Sequence, residues 1–239
     1  MFGAWLRKLG YTGEGLREWS VDGVSVQQKG GPFSKKLKIA CQRCNGVWMS
    51  GMEKAVQPLL VEMFNGKRVA LNEAAQRDLA RWAFKTIVVS SHVDRQAGRV
   101  PAVSRQVFHQ TDEPPLGTVV RIGSASVPRE KLGENLAACS FKPRPMQAAF
   151  GDGRVVDIPA YTGRIQLLNV VFDVFSYASP EPGLRVHNDL PSEVERALLQ
   201  IWPTKHPTVW WPPVETLDTF GGLSGFEFGE SWRVLPTVT

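Results

Sequence analysis

Two cysteines three positions apart, in the run Cys41-Gln42-Arg43-Cys44-Asn45, are the residues whose type and spacing point most directly to chemistry. A CxxC where a strand meets a helix turns both sulfurs to one side and lets the backbone amides of the turn donate to them. Zn²⁺ takes four N or S ligands in a tetrahedron, so one such knuckle supplies half of a structural zinc site. The third cysteine, Cys139, sits in Leu136-Ala137-Ala138-Cys139-Ser140-Phe141, an apolar setting that suits a buried and inert thiol. The four histidines, His92, His109, His187 and His206, are dispersed without ligand-like spacing and read as surface or core residues. A redox CxxC normally opens a helix within a thioredoxin-like βαβ pattern, and that pattern is not evident here.

The rest of the composition sets the conditions under which such a site would work. The 239 residues are 43% hydrophobic and 21% charged, enough to bury a core without disulfides. An odd cysteine count with a CxxC is not a secreted disulfide framework and points to a reducing compartment. The start, Met1-Phe2-Gly3-Ala4-Trp5-Leu6-Arg7-Lys8, lacks the layout of a signal peptide. The most apolar stretch, Ile165 to Phe175, is interrupted by Gln166, Asn169 and Asp173, so no membrane span is expected and the cytoplasm is the expected location. The net charge of +5 and pI of about 9.2 permit attraction to nucleic acid without requiring it. Lys29, Lys35, Lys36 and Lys38 form a basic cluster close to the CxxC and are the candidate phosphate contacts; a solvated strand face is the alternative.

The elements around these residues follow from periodicity and turn chemistry. Residues 2–9 carry apolar positions at helical spacing. Asp22-Gly23 between Trp19-Ser20-Val21 and Val24-Ser25-Val26 predicts a hairpin, and Lys36-Leu37-Lys38-Ile39-Ala40 alternates like a strand leading into Cys41. Trp48, Met52, Val56, Leu59, Leu60 and Met63 predict a helix over 46–64 with a kink or break at Pro58 and a stop at Asn65-Gly66. Asn72 is the expected cap of a second helix over 72–89, whose apolar face is Leu79, Trp82, Ala83, Thr86 and Ile87. A third helix is expected to begin at Pro101 and to end before Glu113-Pro114-Pro115-Leu116-Gly117. Strands are then expected at 118–122, 136–141, 155–158 and 163–177, with a hairpin around 160–163, followed by a helix over 191–202 and an irregular segment from Trp210 onward.

At Cys41-Gln42-Arg43-Cys44-Asn45-Gly46-Val47-Trp48-Met49-Ser50-Gly51-Met52-Glu53 the chain resembles the second half of a bacterial and phage family of HNH endonucleases, in which CxxCN leads into a helix beginning near G-W-M-S-x-L-E. Ala80-Arg81-Trp82-Ala83-Phe84-Lys85-Thr86, Pro114-Pro115-Leu116-Gly117-Thr118, Gln200-Ile201-Trp202-Pro203 and Trp211-Pro212-Pro213 follow in that family's usual order. The resemblance implies an upstream half with a second CxxC and a histidine that activates water for phosphodiester attack, with a divalent metal stabilising the leaving oxygen. Ala4-Trp5-Leu6 looks like the tail of that upstream half, so the resemblance implies a truncated member without its general base. Asn45 stands where the last residue of the HNH motif stands and is the candidate catalytic metal contact, with a helix N-cap as the alternative; Glu53 is a metal carboxylate or an exposed helix residue. Trp48 and Met49 are expected to pack the finger on the next helix, and Trp210-Trp211 to stack on bases or to pin the C-terminal segment.

The expectation from sequence is therefore an α+β fold. Residues 1–66 would be an incomplete ββα-type zinc-knuckle segment, 67–116 a helical region and 117–239 a mostly antiparallel β domain. Cys41 and Cys44 are the zinc half-site. The expected function is that of an HNH-endonuclease-like protein associated with DNA and impaired in catalysis. The alternative is a non-enzymatic phage or bacterial accessory that acts by contacting a protein partner.

Overall fold

The computed structural model describes residues 16–21, 24–29, 39–92, 98–126, 137–179, 183–217 and 231–236; for 16–29, 137–138 and 234–236 it is the backbone that is described. The fold is α+β: helices fill the middle of the chain, and antiparallel strands dominate the C-terminal half. In order they are β1 (Leu16–Val21), β2 (Val24–Lys29), a π-helical turn (Cys44–Met49), α1 (Ser50–Phe64), β3 (Val69–Asn72), α2 (Glu73–Ser90) and α3 (Ala102–Thr111). Then come β4 (Thr118–Ser124), β5 (Ala137–Pro143), β6 (Met146–Ala149), β7 (Val155–Ile158), β8 (Ala160–Leu167), β9 (Val170–Tyr177) and β10 (Leu184–Asp189). A short α4 (Ser192–Arg196), β11 (Leu198–Trp202), β12 (Thr208–Trp211) and β13 (Ser231–Pro236) complete the series.

Helix α2 is the element from which the rest is built. Asn72 caps it, its side-chain oxygen accepting from the backbone N–H of Ala75 at 2.9 Å. That satisfies one of the amides that the first helical turn leaves unpaired. Leu79, Trp82, Ala83, Thr86 and Ile87, at helical spacing, are all fully buried. They lie on one face of a five-stranded antiparallel sheet in the order β11-β4-β9-β8-β5. Trp82 meets Phe172 of β9 with ring centroids 5.4 Å apart. Gly163 of β8 lies under Ile87, and a Cβ there would stand 2.5 Å from that side chain, so the missing side chain is what admits the helix. One core draws on α1 (Met52, Val56, Leu60, Met63), on α2 and on the sheet (Val120, Ile122, Ile165, Phe172, Val174).

The opposite face of the sheet is organised around charge. Arg121, Asp173 and Arg164 stand directly across from one another on β4, β9 and β8. Asp173 is 1% exposed and accepts from Arg121 at 2.9 Å and from Arg164 at 3.1 Å, while Arg121 also donates to Asn188 of β10 at 2.9 Å. Apolar clusters flank this band. One joins Val171, Ala197, Leu198 and Leu217, the other Ile158, Phe175, Leu184 and Val186.

Several expectations are corrected. Pro58 neither breaks nor ends its helix, because it lies on the exposed side of α1 and the bond it cannot make would engage the carbonyl of solvent-facing Lys54. The run 163–177 is not one strand, and no hairpin turns at 160–163. β8 and β9 fold back at Leu168-Asn169, with Leu168 at φ 53°. The Asn169 amide fixes that turn by donating to the carbonyl of Met63 at 2.9 Å. Residues 191–202 are helical only over Ser192–Arg196; Leu198–Trp202 is drawn into the sheet by pairing with β4. The segment from Trp210 onward is not irregular throughout, since β12 pairs with β3 and β13 with β10. Of 36–40, Ile39 and Ala40 lie outside any strand, and 36–38, like the helix expected at 2–9, lie outside the described residues. The hairpin about Asp22-Gly23 is present as β1–β2.

Replacing Asp173 by Ala would leave two guanidinium groups in the sheet without the carboxylate between them. A loss of about 3–5 kcal/mol is expected, seen as a lower urea midpoint with an unchanged slope; a midpoint equal to that of the parent protein would show that the band is not held by this carboxylate.

Candidate metal centre

The backbone N–H of Asn45 donates to the Cys41 carbonyl at 2.9 Å, and that of Cys44 donates to Cys41 Sγ at 3.2 Å. An amide aimed at a sulfur favours the thiolate, the form in which cysteine binds metal or reacts. The Cys44 backbone N–H, and next the Cys44 thiol, hold the Cys41 thiol below the usual cysteine range. The reciprocal hydrogen bond to Cys41, with some burial, pushes Cys44 up. Cys41 is exposed and Cys44 half-buried.

Trp48, one position before the end of the π-helical turn, holds this turn in place. Its indole N–H donates to Asp112 Oδ1 at 2.7 Å, and its ring packs on Phe108 of α3 at 5.2 Å. Phe108 in turn meets Phe84 of α2 at 4.9 Å. Asp112 ends α3 in the left-handed conformation, φ 60°, and its other carboxylate oxygen pairs with Arg81 of α2, which also holds Asp78 at 2.9 Å. Burial alone would raise the Asp112 carboxyl, but the hydrogen bonds from Arg81 and Trp48 more than offset it and hold it below its ordinary value. Its stabilising contribution is therefore present above the unfolded carboxylate pKa and is lost as pH falls through the lowered folded one. A second tie is Glu53 of α1, paired with the buried Lys85 of α2. Glu53, half-buried in that pair, is not an exposed helix residue. Trp48 packs on α3 and against the main core.

One histidine comes to the knuckle. His109 of α3 places Nε2 4.0 Å from Cys44 Sγ, and its ring meets Trp48 edge-on at 5.3 Å. The two residues are 65 positions apart, so no local spacing could have revealed the pair. His92 follows the end of α2, His187 lies in β10 and His206 between β11 and β12. Cys139 lies in β5 against the main core, and burial pushes its thiol up to about 12. Among the described residues no three His, Cys, Asp or Glu side chains are already gathered in metal-holding geometry.

Asn45 is exposed and sits inside the first helical turn, so it is not the N-cap; that position belongs to Arg43, and no side-chain cap is made there. Lys35, Lys36 and Lys38 lie outside the described residues, and Lys29 is described as backbone at the end of β2. Trp211 is fully buried and donates to the Gly123 carbonyl at 3.0 Å, pinning β12. Trp210 is 51% exposed, with the Arg68 guanidinium 4.7 Å above its ring. No protein-family model, no curated protein and no solved structure matches this chain. No helix among the described residues is long and apolar enough to cross a membrane.

The two thiol environments predict a clear order of reaction. In chelator-treated protein at neutral pH, iodoacetamide should modify Cys41 first, and Cys139 should react only after denaturation. Peptide mapping by mass spectrometry reads the order; Cys139 reacting as fast as Cys41 would contradict both assignments.

Proposed function

We propose that this chain is an HNH-endonuclease-like protein associated with nucleic acid, in which Cys41 and Cys44 are a zinc knuckle and phosphodiester cleavage is impaired. The observation that carries the reading is the amide of Cys44 aimed at Cys41 Sγ, 3.2 Å away, in an exposed turn that opens a helix. That is the arrangement in which the Cys41 thiolate is stabilised and, with Cys44 beside it, offered to a thiophilic cation such as Zn²⁺. Zinc bound there would supply structural crosslinking; the chain's own part is to orient the two sulfurs through the Trp48–Asp112–Arg81 tie.

Nucleic-acid association is supported by the net charge of +5 and by Trp210, which offers a ring face with a guanidinium already stacked on it. Asn45 is exposed on the knuckle, where a divalent metal serving catalysis would have to be reached. A second reading, a non-enzymatic accessory that contacts another protein, is favoured by Val47, which is 70% exposed between the cysteines and Trp48. A valine so placed suits an apolar contact better than a phosphate.

Salt titration separates the two. If Lys29, Lys35, Lys36 and Lys38 each neutralise a phosphate of duplex DNA, log Kd against log salt should have a slope of magnitude roughly 3.6; a flat response would favour the protein-contacting reading. Supercoiled plasmid should stay intact with Mg²⁺ or Mn²⁺, and metal-dependent cleavage abolished by Asn45→Ala would refute impaired catalysis.

A further inference from the structure

We propose that His109 is a third ligand of the metal site begun by Cys41 and Cys44, so that a Cys₂His set within this chain binds a zinc-class ion. The inference rests on the knuckle reading and adds to it a ligand from a different helix. Ligands at zinc distances in a tetrahedral site put sulfur and nitrogen about 3.6 Å apart. Cys44 Sγ and His109 Nε2 stand at 4.0 Å, so closure asks for a shift of a few tenths of an ångström.

Two further features make the geometry productive. The atom facing Cys44 is Nε2, a ring nitrogen that coordinates metals when neutral. The ring's plane is set by its edge-on contact with Trp48, and Trp48 is itself fixed by Asp112 and Phe108. Metal-binding imidazoles need such outer support to hold their orientation. The remaining adjustment falls on Cys41. It is exposed, with its sulfur already drawn to the Cys44 amide, and a rotation about its χ1 is the movement that closure requires. That rotation is the step from the present arrangement, in which no three donors are gathered, to one in which three are. Zn²⁺ would also join the π-helical turn to α3 by a bond, across the same junction that Trp48 and Asp112 now hold.

The test is titration of the full chain with Co²⁺ alone, then competition with Zn²⁺. The parent protein should show the visible d–d absorption of tetrahedral Co²⁺ together with thiolate-to-cobalt charge transfer in the near ultraviolet. His109→Ala should weaken binding by at least about tenfold, the lower end of what even outer-shell losses cost, and should lower the d–d intensity. His109 is exposed, so this variant should fold, which far-ultraviolet circular dichroism checks. His109→Cys should restore affinity and increase the charge-transfer band, a gain that a merely structural histidine would not produce. Unchanged affinity and spectrum in His109→Ala, with binding lost in Cys41→Ser, would overturn the third ligand and leave the knuckle standing. Failure of the parent protein to bind Co²⁺ or Zn²⁺ would overturn both.

Discussion

The packing of α2 on the central sheet is the constraint on which the candidate site depends. Its apolar stripe is buried against β8 and β9, and the absence of a side chain at Gly163 sets how closely it approaches. Once that face is committed, the helix has no freedom left about its axis. Arg81 and Lys85 must then project where Asp112 and Glu53 can reach them. The positions of α1, α3 and the cysteine turn are inherited from this one docking event. The contacts that transmit it are an aromatic chain, Phe84 to Phe108 to Trp48, and two ion pairs.

The tie at Asp112 concentrates several requirements in one carboxylate. It receives an indole N–H on one oxygen and a guanidinium on the other while ending a helix in the left-handed conformation, which aspartate tolerates better than most side chains. Charge-assisted hydrogen bonds of this type are stronger than neutral ones. They also fix direction, which is what a pair of sulfurs needs if it is to present ligands at a set angle. The buried Arg121–Asp173–Arg164 band plays the corresponding part on the other face of the sheet, where one carboxylate ties β4, β9 and β8 together.

Local signals carried the helical half of the fold. Asn72, the stripe from Leu79 to Ile87 and Pro101 are short-range features, and α2 and α3 begin where they indicate. The β half was less legible because its central strands are buried on both faces. Without polar alternation, the turn at Leu168-Asn169 is hidden inside an apolar run. Leu198, Gln200 and Ile201 read equally well as helix or strand, and pairing with β4 decides between them. The cysteine pair was legible from spacing alone. Its surroundings were not: Asp112, Arg81 and His109 reach the turn from two other helices, and nothing in residues 41–53 encodes their arrival.

The wide turn over Cys44–Met49 has a geometric meaning of its own. A π-helical ring holds one more residue than an α-helical ring, so side chains before and after it are offset by roughly 100° from where uniform winding would put them. Met52, Val56 and Leu60 can thus face inward while Cys44 looks sideways toward α3. A one-residue deletion within 45–47 would let the helix wind evenly and would swing the thiols round by that angle, away from the imidazole, with the hydrophobic stripe untouched. The register defect thus acts as a joint that uncouples the aim of the sulfurs from the seating of the helix.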